Sequence, residues 1–97
     1  MKAIIMGGTS GIGKSIAENL QGVCDDLVVT GSKDVDTSSI TSVEKFVKKN
    51  KKPNVLVLNT GGPQDLQFKE ISEAEWVENF NKLFLSFSNI IKDIEVE

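Results

Sequence analysis

Short unbroken apolar runs alternate along the chain with longer stretches whose apolar residues recur at steps of three and four. The runs are Lys2-Ala3-Ile4-Ile5-Met6, Leu27-Val28-Val29-Thr30 and Val55-Leu56-Val57-Leu58. Continuous apolar runs of this length predict strands covered on both faces. Between and after them, Ile12, Ile16 and Leu20 predict one helix, and Ile40, Val43 and Val47 a second that ends near Asn50. Trp76, Phe80, Leu83, Phe84, Phe87, Ile91 and Ile94 predict a third, long helix. Gln21-Gly22 reads as a helix stop, and Pro53-Asn54 separates the second helix from the third strand. Ser39, or Thr41 with Glu44, is positioned to cap the second helix, and Ser72 with Glu75 forms a capping box for the third. Gly31 to Asp36 is too short for a parallel crossover, so it reads as a loop or bent continuation, and residues 64–71 as a polar loop.

The order is therefore strand, helix, strand, helix, strand, helix. That order predicts a small parallel Rossmann-like half-sheet of the α/β class, three layers deep, with strand order 2-1-3. Residues 1–97 form one domain, with no internal repeat or linker. The Gly7–Gly13 turn and Asn59-Thr60-Gly61-Gly62-Pro63 then lie side by side at the carboxyl ends of neighbouring strands, where ligands sit in open α/β sheets.

Composition narrows the partners. A net charge of −3 with one short basic run, Lys48-Lys49-Asn50-Lys51-Lys52 at a helix end, points away from nucleic acid. No apolar run reaches transmembrane length, and the first residues carry too short an apolar core for a signal peptide, so no membrane partner is expected. The single cysteine, Cys24, lies beside Asp25 and Asp26 and reads as a small apolar residue in a reducing cytoplasm. No metal-ligating constellation is evident. Histidine and tyrosine are both absent from these 97 residues.

The first glycine turn carries the chemistry. Strand, Gly7-Gly8-Thr9-Ser10-Gly11-Ile12-Gly13 and helix together aim backbone N–H groups and a helix dipole at one spot, which suits a phosphate. Two patterns overlap there. Gly7, Gly11 and Gly13 spell GxxxGxG, a dinucleotide-type turn; residues 8–15 spell GxxxxGKS, a phosphate loop in which Lys14 would reach terminal phosphates and Ser15 would hold magnesium. A triphosphatase also needs an acid at the end of a neighbouring strand. The candidate strands here end in Thr30 and Asn59.

The later segments favour the first pattern. Asn59-Thr60-Gly61-Gly62 resembles the Asn-Asn-Ala-Gly turn of the short-chain dehydrogenase/reductase family. Val35-Asp36, with Ser42-Val43 six residues after Asp36, resembles that family's adenine-contacting segment. Ser72, Glu75-Trp76, Phe80 and residues 83–86 resemble the opening of its long dimer helix, and the Asn-Thr-Gly-Gly-Pro wording resembles a 3-oxoacyl carrier-protein reductase-like subgroup. The resemblance implies an NAD(P)-binding oxidoreductase. Its cofactor contacts would fall on Gly7, Thr9, Ser10, Gly11, Ile12, Gly13, Ser32, Lys33, Asp36, Asn59, Thr60, Gly61 and Gly62. It also implies a homo-oligomer through the helix over residues 73–94. Gly31, Ser32 and Lys33 stand where an acid would repel a 2′-phosphate, which favours NADP(H), with NAD(H) compatible.

Only the family's N-terminal, cofactor-binding half is matched. Its catalytic Ser and Tyr-x-x-x-Lys have no counterpart here, and Leu83 stands where its structural asparagine is expected. No catalytic residue is therefore assigned, and the chain alone is expected to be inactive. The alternatives are a phosphate-loop nucleotide binder and a non-catalytic dinucleotide-binding module or relic.

Overall fold

In the computed structural model, which describes residues 1–60 and 68–96, three parallel strands form one sheet in the order 2-1-3. The strands are β1 (Lys2–Met6), β2 (Asp26–Thr30) and β3 (Val55–Leu58). β1 is central: Lys2 pairs with Asp26 through to Met6 with Thr30 on one side, and Ala3 with Val55 through to Met6 with Leu58 on the other. The helices are α1 (Gly11–Leu20), α2 (Ile40–Lys49), α3 (Glu73–Phe80) and α4 (Ser86–Asp93). A π-helical segment, Asn81–Leu85, joins α3 to α4, and a 3₁₀ turn, Phe68–Glu70, precedes α3.

The alternation of side chains along β1 makes two cores. Ala3 and Ile5 point to one face and pack with Ala17, Ile16, Leu20 and Cys24 around α1. Ile4 and Met6 point to the other and pack with Val43, Phe46 and Val47 of α2 and Ile90 and Ile94 of the last helix. Helices therefore cover both faces, as the unbroken apolar strands require.

The caps separate alternatives that the sequence left open. Ser39, not Thr41, starts α2: its hydroxyl accepts a bond from the Ser42 N–H. At α3 both halves of the Ser72–Glu75 box are present. The stretch after β2 is a tight turn: the N–H groups of Asp34 and Val35 both donate to the Gly31 carbonyl, at 3.0 and 3.2 Å. The Asp34 carboxylate accepts from the Gly31 N–H at 2.8 Å.

The long helix departs from expectation. The Ser86 N–H donates to the carbonyl of Asn81, five residues back, so an extra residue is wound into that turn. The helix is thereby rephased. Downstream, Ser86, Ile90 and Ile94 enter the core and Phe87 packs half-buried against it. The expected apolar stripe is split: Phe87 and Ile94 turn inward, while Trp76, Phe80, Phe84 and Ile91 face outward, 48%, 54%, 61% and 62% exposed. Phe80 and Phe84 stack at 5.3 Å, and Phe68 meets Trp76 edge-on at 5.6 Å. Among the described residues no helix is long and apolar enough to cross a membrane.

Candidate functional site

A cavity of about 500 Å³ opens above the carboxyl ends of the three strands. Its floor and one wall come from the β1–α1 turn, with Gly7, Thr9, Ser10, Gly11 and Ile12. A second wall comes from the end of β2, with Gly31 and Ser32. Asn59 and Thr60 border it after β3.

The turn is held by backbone contacts that leave no room for side chains. Gly7 has φ +66°, and a Cβ on it would lie far inside van der Waals contact of the Asn59 carbonyl. A Cβ on Gly13 would strike the Gly7 carbonyl in the same way. Gly13 is buried behind the cavity wall and serves the close packing of α1 on the turn, not the lining. The Asn59 side-chain amide donates to the Gly7 carbonyl at 3.3 Å, tying the two carboxyl-end turns together. The Gly8 N–H donates to the Thr30 carbonyl at 2.9 Å, tying the first turn to β2. Thr9 leans over Gly31, where a Cβ would come within 2.6 Å of its hydroxyl oxygen.

At the other end of the cavity the turn over residues 35–38 is ordered by Asp36. One carboxylate oxygen, Oδ1, accepts from the Ser38 N–H at 3.0 Å and from the Ser38 hydroxyl at 2.6 Å. The Asp36 N–H in turn donates to the Ser42 hydroxyl at 3.0 Å. The Ser38 hydroxyl and then its N–H hold the Asp36 carboxyl below its ordinary value, and the nearby Lys82 ammonium acts in the same direction. Thr37 is buried there, and the Ser86 hydroxyl donates to its carbonyl, which pins the last helix to this turn.

The α1 N-terminus faces the cavity with its first turn uncommitted. Ser10 is the N-cap in an extended conformation, but its side chain makes no capping bond, and the first turn carries no acid. Its amides, lacking intrahelical partners, form a positive patch suited to an anion.

Of the residues singled out from sequence, the cavity gathers Gly7, Thr9, Ser10, Gly11, Ile12, Ser32, Asp36, Asn59 and Thr60. Lys33 is exposed and lies outside the lining. Gly61 and Gly62 lie outside the described residues. Ile12, read from spacing as part of a helical core stripe, is 77% exposed at the mouth. Residues flanking these turns, among them Met6, Thr37 and Ser38, also line the cavity, and one further element was not foreseen at all: the last helical stretch, through Glu78 on α3 and Lys82 in the π-helical segment. Their only trace in the sequence is an acid and a base four positions apart on the polar side of an aromatic stripe. Among the described residues no group of three metal-ligating side chains comes together.

No family model matches the chain, and no curated protein matches it. The fold is similar to that in the crystal structure of the protein lin1944 from Listeria innocua, with a TM-score of 0.79 and 19% sequence identity over 95% of this chain. The chain spans about half the length of that neighbour, 48% of it. At this identity the likeness carries the architecture alone: a small parallel α/β half-sheet with strand order 2-1-3.

Proposed function

We propose that the chain binds a nicotinamide dinucleotide and is the cofactor-binding part of an oxidoreductase of the short-chain dehydrogenase/reductase type. The observation that carries this is the cavity that runs without a break from the open α1 N-terminus to the Asp36 turn. The fit is chemical as well as spatial. The glycine turn lets a pyrophosphate approach backbone amides, and a nucleoside extends from there over the end of β2. The volume lies within the range of small-molecule and cofactor pockets, about 300–1,000 Å³. When bound, the nicotinamide would supply the hydride; this chain's own residues supply binding and orientation.

The phosphate-loop reading finds less support. The helix starts at Gly11, so Lys14 and Ser15 sit within its first turns, exposed and outside the cavity lining. Neither is where a triphosphate in this cavity would meet it.

The proposal extends to setting and assembly. Ser32 in the lining and Lys33 beside it favour NADP(H), with NAD(H) compatible, and the free thiol of Cys24 suits a reducing cytoplasm. The aromatic stripe of the last helix is covered by a second copy of the chain. Calorimetric titration with NADP(H), NAD(H) and magnesium ATP tests the reading. Saturable one-site binding of a nicotinamide dinucleotide supports it, and tighter binding of magnesium ATP overturns it in favour of a phosphate loop.

A further inference from the structure

Three surfaces meet on one short stretch of the last helical rod, Phe80 to Ser86. Lys82 lines the cavity and is the one cationic side chain among its described lining residues. Phe80 and Phe84 stack on each other at the exposed outer face. Ser86 is buried, and its hydroxyl holds the carbonyl of Thr37, itself a lining residue. The winding changes within the same stretch. The Asn81 N–H is shared between the carbonyls of Val77 and Glu78, and the Ser86 N–H reaches five residues back. Turns wound in this way recur at functional sites.

We propose that the cavity and the aromatic face are coupled: a dinucleotide in the cavity strengthens self-association, and self-association strengthens dinucleotide binding by the same factor. The inference rests on the dinucleotide reading above. The pyrophosphate makes the ligand an anion, and an anion in the cavity attracts the lysine on its wall. That attraction holds Lys82 in one arrangement, and with it the turn that carries Phe80 and Phe84. The entropy of ordering this turn is then lost once for both events, not once for each. Coupling of this origin is reciprocal, because it is a free energy that links two equilibria. The occupant of the outer face is a second copy of the chain. Trp76 and Ile91 are exposed eight residues before and seven after Phe84, so two rods crossing antiparallel at Phe84 lay the Trp76 of each on the Ile91 of the other. The same crossing keeps the acidic starts of the two rods, with Glu73, Glu75 and Glu78, at opposite ends.

Sedimentation with and without saturating NADP reads one side of this cycle. Titration of NADP at protein concentrations below and above the dimer midpoint reads the other. NADP should tighten the dimer about five- to tenfold, and the assembled chain should bind NADP more tightly by the same factor. Phe84→Asp should bind NADP with the affinity of the dilute chain at every concentration. Amide exchange over residues 80–86 should still slow when NADP binds this variant, which separates ordering from assembly. Lys82→Met should dimerise without ligand as the unaltered chain does, yet lose the shift at saturating NADP, with circular dichroism checking its fold. A dimer constant that saturating NADP leaves unchanged or weakens, a shift that survives Lys82→Met, or a chain that stays monomeric with NADP bound overturns the coupling and leaves the dinucleotide reading standing. Absence of NADP binding overturns both.

Discussion

The amide of Asn59 donates to the carbonyl of Gly7, and the Asn59 carbonyl lies against the Gly7 Cα, so the turns after β3 and β1 touch through both backbone and side chain. The contact joins the two strands whose ends frame the cavity. Replacing Asn59 by Leu keeps the bulk and removes the donor, leaving a half-buried carbonyl short of a partner. The expected loss is about 1–3 kcal/mol in urea unfolding. Asn59→Asp should cost at least as much at neutral pH, because a carboxylate would then face the carbonyl oxygen. An unchanged midpoint in both variants would show that the two turns stand independently.

Gly13 and Gly11 should resist substitution for different reasons. Gly13→Val places a branched side chain against the Gly7 carbonyl, which is backbone and cannot swing aside. About 1–3 kcal/mol of destabilisation and loss of nucleotide binding are expected. Gly11 has φ +57°, yet a Cβ there meets nothing within 4 Å. Gly11→Ala therefore carries only left-handed backbone strain of about 1–2 kcal/mol. Calorimetric scans of the two variants, with binding measured on each, separate packing from strain.

Asp36 should titrate below the ordinary 3.8 of an aspartate, chiefly through its bonds from Ser38. Its depressed folded value fixes the sign of the pH dependence. The contribution is fully present above the unfolded aspartate pKa and is lost as pH falls through the lower, folded one. Ser38→Ala removes the hydroxyl bond and should raise the midpoint, with Lys82→Met producing a smaller rise. Carboxyl-carbon chemical shifts between pH 2 and pH 6 read each value. A Ser38→Ala midpoint identical to that of the unaltered chain would contradict the bonding described.

The outward aromatic stripe should drive self-association. Trp76, Phe80 and Phe84 sit at successive four-residue steps on one face, an apolar patch of the kind that marks interfaces. Sedimentation should show a monomer–dimer equilibrium that shifts with dilution, and Phe84→Asp should move it to monomer with little loss of folding stability. A clean monomer at high concentration would remove the second copy from the proposal.

The isolated chain should not reduce carbonyl compounds even with cofactor bound. Reduction needs a proton on the carbonyl oxygen as hydride arrives at carbon, and positioned general acids typically supply about 10²–10⁴-fold. With no tyrosine or histidine in the sequence, the hydroxyls at the cavity are those of Thr9, Ser10, Thr60 and their neighbours. These are weak acids without an activating partner. Oxidation of NADPH with a panel of ketones and acyl thioesters should stay at the buffer rate. Steady turnover that scales with chain and disappears in Gly13→Val would falsify this.

The strands were legible because apolar runs covered on both faces leave little freedom in where they start or stop. β1 and β3 fall at the expected residues, and β2 gains only Asp26. The turn chemistry was legible because Gly7 and Gly13 stand where another backbone passes close. The last helix was harder. A stripe at steps of three and four assumes uniform winding, and nothing in Asn81-Lys82-Leu83-Phe84-Leu85 announces the extra residue in its turn. The resulting rotation sends Phe84 to solvent and Ser86 to the core. It also explains why Lys82 went unforeseen: a reading by period assigns faces relative to the stripe, whereas the cavity sees the helix from the side of the Asp36 turn. Lys33 shows the converse limit, since proximity in sequence to Ser32 did not bring its side chain into the lining.

The Asn81–Leu85 segment works as a phase adjuster between two halves of one rod. The rod's upstream half is indexed to the cavity through Glu78, with Lys82 at the start of the junction itself, and its downstream half to the hydrophobic interior through Ser86, Ile90 and Ile94. Substitutions within either half leave that indexing intact. A single-residue deletion at the junction would restore uniform winding and turn one half by about 100° against the other, the angle between successive residues of an α-helix. The cavity wall and the interior could then no longer both be satisfied. Chain length at this junction is accordingly under tighter constraint than residue identity.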